Sequence, residues 1–375
     1  MGEPIATAVR EAATCGVTRL ADITHLDCIG VPVFQAIRPW SRALSVHQGK
    51  GLTCDDARIG ALMEAMECDH AEAFDGRRIV CAFEALPEAE RAPEIADFAS
   101  ARRRSPRPAE PLAWVEARRL DGAGSLWVPF DVVSLDFSRP GDPRLDQSSN
   151  GIGARFDSEG AIAKALLEVI ERDADRVWQA LPLHDRSLDR LDPGSMPFCW
   201  FAELRRSLRA AGLRLAIYRQ TAIVPLPVFF AELSEPGAAA FARGFAIGVA
   251  CHSSPEEALL GSVLEAVQSR LTSISGVRDD ILFPDPPRSD ANRIGFGLPL
   301  PPGVRATTWD EAASPFASRP QITSADIVGL LAEAGYPGAA VIDLSRPGRR
   351  TTVVKAVVPG LGAFGRRRRG PGDPS

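Results

Sequence analysis

Between Asp157 and Asp175 the chain reads DSEGAIAKALLEVIERDAD, with apolar side chains at Ile162, Ala165, Leu166, Val169 and Ile170. That spacing gathers them on one stripe of a helix and leaves Glu168, Glu171 and Arg172 together on another side. Asp157 or Ser158 can cap its start, because a short side-chain oxygen accepts from the free N–H groups of the first turn.

The same pattern occurs three times. TCDDARIGALMEAMECD from Thr53 and SPEEALLGSVLEAVQSR from Ser254 align with it when Thr53, Asp157 and Ser254 are taken as equivalent caps. An alanine follows four positions later in each copy (Ala57, Ala161, Ala258). Seven further on come Glu64, Glu168 and Glu265, and three beyond those come Glu67, Glu171 and Gln268. Glycine-bearing stretches precede each copy: Gly49-Lys50-Gly51, Gly151-Ile152-Gly153, and Gly244 to Gly248. A repeat signals stacked structural units, and repeated polar positions suggest a shared site. One solvated face with Glu and Arg is commonplace. Five carboxylates and an amide brought together need a positive partner, and hard oxygen donors suit Mg2+ carrying phosphates.

The rest of the chain alternates short strand patterns with helices. Residues 1–20 read as a short amphipathic helix. IGVPVFQAIRP and ALSVHQGKG read as strand, turn and strand, the second delivering Ser45, Gln48 and Lys50 to the first repeat helix. Gly49-Lys50-Gly51 before a helix start is a phosphate cradle or a tight connection, and alone it is a weak signal. Residues 85–112, dense in charge and proline, read as a surface connection with a short helix. WVEARRL and LWVPFDVVSLDF suggest a hairpin across Asp121-Gly122. Residues 198–211 suggest a helix; LRLAIYRQ, PVFFAEL and ARGFAIGVACHSS suggest strands, the last feeding the third repeat helix. His252 has no second His or Cys at metal-ligand spacing, which favours a cap or core role. Residues 283–320 read as a proline-rich surface excursion, Ser324–Gly335 as a helix, and GAAVIDLS with TTVVKAVVP as a closing strand pair. Strands in hairpins with helices between them point to an α+β fold with mixed or antiparallel sheets.

Composition narrows the function classes. At 375 residues and 45% hydrophobic, the chain can bury a large core. A net charge of −5 and a pI near 5.7 argue against general nucleic-acid binding. The one basic run, Arg366–Arg369, falls in a Gly/Pro-rich tail read as solvated. Seven scattered cysteines with no C-x-x-C signal neither a zinc site nor a disulfide framework and fit a reducing cytoplasm. The N-terminus lacks the apolar region of a signal peptide, and the longest apolar stretch, Thr221–Leu233, is short and holds two prolines, so no membrane span is expected. No P-loop, Rossmann fingerprint, G-x-S-x-G elbow or H-E-x-x-H is present.

With the repeats located, the sequence resembles the YcaO family of ATP-dependent enzymes that modify peptide backbones. The resemblance spans roughly residues 25–360. It is carried by SVHQGKGLTCDDARIGALMEAMECDHAE, SSNGIGARFDSEGAIAKALLEVIERDA and EEALLGSVLEAVQSRLTSISGVRDD, the second being the most specific. The opening IGVPVFQAIRPWSRALSVHQGKG and the ending VVKAVVPGLG look most like the branch associated with TfuA proteins. The implied organisation is a helical segment over 1–24, a YcaO domain over 25–360 and a disordered tail over 361–375.

The resemblance also implies roles. Mg2+ and ATP are the expected cofactors, with Glu64 and Glu67 as the first metal-binding pair and Glu168 and Glu171 as the second. Arg172 completes an ExxER motif, and Glu265 adds a third-repeat metal ligand. Lys50, Ser149, Asn150, Gln268 and Arg270 are the expected nucleotide contacts. Glu168, Glu171, Arg172 and Arg278 are the expected catalytic groups. Cys68 departs from the pattern, since many members carry Arg there. The implied chemistry is phosphorylation of a backbone amide oxygen, which turns a poor leaving group into phosphate. An internal Cys, Ser or Thr nucleophile then gives an azoline, and external sulfide gives a thioamide. The chain lacks the Pro-x-Pro-x-Pro ending of many azoline-forming members and has no room for a fused leader-binding domain. Thioamidation of a peptide or protein, with a TfuA-like partner and a sulfur donor, is therefore the expected activity, and a homodimer is compatible with it. Azoline formation, a non-catalytic accessory role and an unrelated metal–ATP carboxylate–amine ligase are the alternatives.

Overall fold

A computed structural model describes residues 3–100, 104–139, 141–235, 245–277, 300–316 and 322–361. Arg278, the Arg366–Arg369 run and most of the proline-rich stretch lie outside the described residues. Among those described, every named strand pairs antiparallel, in three sheets. Arg19–Asp22, Val33–Ile37 and Val46–Lys50 form one sheet; Arg214–Gln220, Val228–Ser234 and Phe245–Cys251 form another. The largest runs in the order Arg78–Ala82, Pro111–Arg119, Ala340–Asp343, Thr352–Val357, Ile152–Arg155, with Ser125–Pro129 also paired to Pro111–Arg119. The α+β expectation holds.

The three repeats are three strand–turn–helix units. Val46–Lys50 leads to the helix Cys54–Glu72, Ile152–Arg155 to Ser158–Gln179, and Phe245–Cys251 to Pro255–Ser275, and each helix packs on the strand that precedes it. The central helix buries the whole stripe Ile162, Ala165, Leu166, Val169 and Ile170. Each unit is closed by one strand glycine on which the helix backbone rests. A Cβ on Gly49 would lie 2.1 Å from the Ala57 carbonyl oxygen and the Ala61 nitrogen. On Gly153 it would lie 2.3 Å from the Ala161 oxygen, and on Gly248 2.2 Å from the Ser262 oxygen. No side chain fits in those gaps, so the sequence must place glycine on the strand and small residues on the helix.

Some segments differ from their sequence patterns. The expected helical segment 1–24 is helical only over Glu3–Thr14, because Gly16 at φ 82° ends the helix and Arg19–Asp22 joins the first sheet as an edge strand. That helix buries Ile5, Ala8 and Ala12, so it belongs to the core. The stretch 85–112 is not all surface: Ile95 and Phe98 are buried, with Phe98 edge-on to Trp114. Two apolar residues isolated among charges carry no periodic signal. A helix at Leu183–Leu188 and another at Trp309–Ala313, with Trp309 buried, were likewise too short to show one. The hairpin strand read over LWVPFDVVSLDF ends at Pro129, and Phe130–Val133 turns into a short helix instead. The remaining strand and helix expectations fall within a few residues of the observed elements.

Opposite outcomes are expected for two glycine-to-alanine changes. Gly153→Ala forces strand and helix backbones apart and should destabilise by about 1–3 kcal/mol. Gly329→Ala, at an exposed position of the helix Ser324–Glu333 with nothing within 4 Å of the new methyl, should stabilise by up to about 1 kcal/mol. Chemical denaturation of both variants checks the pair, and equal effects would contradict the packing account.

Candidate functional site

All three repeat helices begin at the caps read from sequence. Thr53 Oγ1 accepts from Asp56 N at 3.2 Å, Asp157 Oδ1 from Gly160 N at 2.6 Å, and Ser254 Oγ from Glu257 N at 3.5 Å. Capped alike and seated on their glycines, the helices turn equivalent positions into one cleft of about 1180 Å³. Glu64, Glu67, Glu168, Glu171, Glu265 and Gln268 all line it, with Lys50, Ser149 and Arg172.

Backbone amides of the strands hold the acids in place. Gln48 N donates to Glu64 Oε2 at 3.1 Å. The second acidic position of one repeat is held by the strand of the next: Ala154 N donates to Glu67 Oε1 at 2.8 Å, and Cys251 N to Glu171 Oε2 at 3.2 Å. Lys50 Nζ reaches from the first repeat to Glu265 Oε2 of the third, at 3.1 Å. The cleft is thus assembled from all three units and complete in none.

Its electrostatics are unbalanced. Seven carboxylates line it, counting Asp56 and Glu257, against the four cations Lys50, Arg155, Lys164 and Arg172. Burial pushes Glu64 up to about 7, against the opposing pull of the Gln48 N–H. Burial likewise pushes Glu168 up to about 7, although Arg172 and Lys164 favour its ionised form. Burial, with the neighbouring Glu265, also raises Glu171 well above the ordinary carboxylate range. Carboxylates withdrawn from water and short of counter-charge favour a multivalent cation with oxygen ligands. Arg172 is half-exposed and stands 3.8 Å from both Glu168 Oε1 and Glu171 Oε1. That is beyond hydrogen-bond range, so its fork is not committed to either carboxylate.

The Ser148–Gly151 turn reaches the cleft through Ser149, with Asn150 buried behind it. Gly151 takes φ 77°, and a Cβ there would lie 2.5 Å from the Ala356 oxygen. Lys355 Nζ, fully buried, donates to the Ser148 carbonyl at 2.6 Å, and burial pulls its ammonium down to about 8. Asn150 is 5% exposed, yet neither polar atom of its side chain has a hydrogen-bond partner among the described residues. A buried amide left unsatisfied is costly, and a bound ligand would satisfy it.

Not every expected contact joins the cleft. Arg270 is turned away from it, clamped at 2.9 Å to Asp27 and at 2.6 Å to Glu235, where it ties the third helix to two loops. Cys68, at the position matching Arg172 in the first repeat, is buried, and burial among Glu64, Glu67 and Glu72 pushes its thiol well up. His252 caps locally, its Nδ1 accepting from Ser254 N at 3.1 Å. Lys164, Arg155 and Lys355 are additions that sequence reasoning missed. For Lys355 the signal was a lysine inside the apolar strand TTVVKAVVP; for Lys164 it was a cation where the other repeats carry Gly60 and Gly261. A second cluster, Cys15, Asp69 and His70, brings potential metal ligands within 4.8 Å of one another. There, Asp69 is already paired with Arg38 at 2.8 Å and Arg346 at 2.7 Å, which marks an ion-pair node. All seven cysteines are free. Among the described residues no helix is long and apolar enough to cross a membrane.

Comparison with known proteins places the chain in a family. The family model described as YcaO cyclodehydratase, ATP- and Mg2+-binding, matches residues 48–362. A protein of Rhizobium leguminosarum bv. trifolii, named for its place in the tfuA 3' region, is 31% identical over 359 residues, covering 92% of this chain and 84% of its own. A Methanothermobacter thermautotrophicus protein is 30% identical over 367 residues, covering 93% of this chain and 90% of its own. Among solved structures, YcaO from Methanopyrus kandleri bound with AMPPCP and Mg2+ matches with a TM-score of 0.68 at 22% identity, covering 99% of this chain and 96% of that one. A heterocyclase in complex with substrate and cofactor matches with a TM-score of 0.73 at 21% identity, and the chain spans 52% of it. These structural likenesses establish a shared fold. A family model covering most of the chain, with relatives near 30% identity over nine-tenths of it, makes this protein a member of the YcaO family.

Proposed function

We propose that this protein uses Mg2+ and ATP to activate a backbone amide of a ribosomally made peptide or protein, and that the product is a thioamide. The observation that carries the reading is the convergence of acids from three separate helices on one cleft short of positive charge. Glu64, Glu67, Glu168, Glu171 and Glu265 would hold Mg2+; Lys50, Ser149, Asn150 and Gln268 would hold the nucleotide. Arg270, held by Asp27 and Glu235, is not part of this assignment, and Arg278 keeps its expected catalytic role within it. When bound, Mg2+–ATP supplies a phosphoryl group for the amide oxygen, so that oxygen departs as phosphate. The chain's own part is positioning and charge. Strand N–H groups fix the acids, and Arg172, uncommitted between Glu168 and Glu171, is placed to meet charge that builds on a transferring phosphoryl group.

Sulfur addition is favoured by the relative from the tfuA 3' region, which supports a TfuA-like partner that delivers sulfide-level sulfur. The net change is then amide, ATP and hydrosulfide to thioamide, ADP and phosphate. Azoline formation is the second reading, favoured by the family's description as cyclodehydratases. A mass change of about +16 Da on the peptide marks the thioamide, and about −18 Da the azoline. The test is reconstitution with candidate peptide, partner and sulfide, followed by intact-mass measurement; −18 Da would replace the first reading with the second.

Glu168→Gln and Glu171→Gln should each lower peptide-stimulated phosphate release by at least about 100-fold while circular dichroism stays unchanged. Activity retained in both would contradict the assignment.

A pH dependence also follows. Glu64 and Glu168 bind protons more tightly in the folded chain, at about 7, than at the ordinary value of 4.5. The folded state therefore holds more protons than the unfolded state between those values, and the ligand-free protein loses stability as pH rises from 4.5 to about 7. A cation binds the ionised carboxylates, so the melting-temperature gain from Mg2+ plus a non-hydrolysable ATP analogue should grow from pH 5.5 to pH 8, about the range in which those groups ionise. A gain independent of pH, followed by scanning fluorimetry, would contradict the account.

A further inference from the structure

We infer that Lys164 is a resident counter-cation of the cleft: its ammonium holds Glu67 while the metal is absent and transfers to the nucleotide's phosphates when the metal enters. The inference rests on the metal–nucleotide reading above and goes beyond it, because it assigns a role to a residue outside the polar positions the three repeats share.

Three observations carry it. The first is an asymmetry within the repeats. At the seventh position after the cap, the first and third helices carry Gly60 and Gly261, and both face their strands closely. A Cβ would stand 3.2 Å from Gly49 Cα in one and 2.7 Å from Ala250 Cβ in the other. Only the central helix puts a long cationic side chain there, and it lines the cleft.

The second is its partner. Lys164 Nζ pairs with Glu67, an acid of the neighbouring repeat that also accepts the Ala154 N–H. Both contacts fall on Glu67 Oε1, so the ammonium offsets the charge that a metal would draw on. A cation binding Glu67 competes with it, since two positive charges sharing one carboxylate repel each other, and repulsion loosens the ammonium toward other anions.

The third is freedom to move. About a third of the Lys164 side chain is exposed, and its flexible stem carries a compact charge with rotatable donors. Lys50 makes a comparable pair with Glu265. The two lysines bridge the first repeat to the second and to the third, which keeps the acids together without metal.

The two states give opposite signs. Removing the ammonium leaves Glu67 open, so metal alone should bind more tightly. It also removes a phosphate contact, so metal–nucleotide should bind more weakly. Calorimetric titrations of wild type, Lys164→Met and Lys164→Arg with Mn2+ alone, and with Mg2+–AMPPCP, read both. The expected result for Lys164→Met is about tenfold tighter Mn2+ and about tenfold weaker Mg2+–AMPPCP, with Lys164→Arg near wild type in both. Wild type that binds Mg2+–AMPPCP alongside a Lys164→Met variant unchanged in either titration overturns this inference alone. Wild type that binds neither probe removes the metal–nucleotide reading and this inference with it. Circular dichroism of each variant separates lost binding from lost fold.

Discussion

Everything in the cleft depends on how closely three helices lie on three strands. A helix backbone in contact with a strand backbone has little freedom to slide or rotate, so the side chains projecting from it keep their register. Gly49 and Gly153 precede their caps by four residues and meet their helices at Ala57 and Ala61 and at Ala161 and Ala165. Gly248 precedes its cap by six and meets its helix a turn later, at Ser262 and Ala266. Two strand residues span about 6.6 Å, and a four-residue helical step about 6 Å, so the two offsets nearly cancel. Glu265 and Gln268 of the third repeat therefore reach the cleft despite a differently placed glycine.

The rigid frame is what makes an electrostatic conflict sustainable. Glu64, Glu168 and Glu171 are all more readily protonated than ordinary carboxylates because burial strips their water. Left to relax, such groups would separate or turn to solvent. Here strand N–H groups from Gln48, Ala154 and Cys251 fix one oxygen on each of Glu64, Glu67 and Glu171. Internal ammonium groups offset only part of the charge. The unfavourable remainder is the driving force for binding a cation, so stability without ligand and affinity for it are opposing uses of the same residues.

Much of this was legible in the sequence, for a physical reason. Caps, apolar stripes and acids at fixed offsets are local features, so aligning Thr53, Asp157 and Ser254 located the three helices and Glu64, Glu67, Glu168, Glu171 and Glu265 together. What it could not give were side chains whose partners are distant along the chain. Lys355 reaches the Ser148 carbonyl across 207 residues, and Lys164 reaches Glu67 across 97. Arg270 follows Glu265 by five residues on the same helix, and Asp27 and Glu235 hold its guanidinium away from the cleft. Helical spacing places a residue on a face; it does not say which of two competing partners will take its charge.

The central claim is that one metal site draws on all three repeats. The direct measurement is electron paramagnetic resonance of Mn2+ with a non-hydrolysable ATP analogue, on wild type and on Glu67→Gln, Glu171→Gln and Glu265→Gln separately. Each substitution removes one carboxylate from a different helix. The account predicts that all three change the bound-Mn2+ spectrum or its occupancy. A spectrum altered by acids of one helix only, and indifferent to the other two, would contradict it.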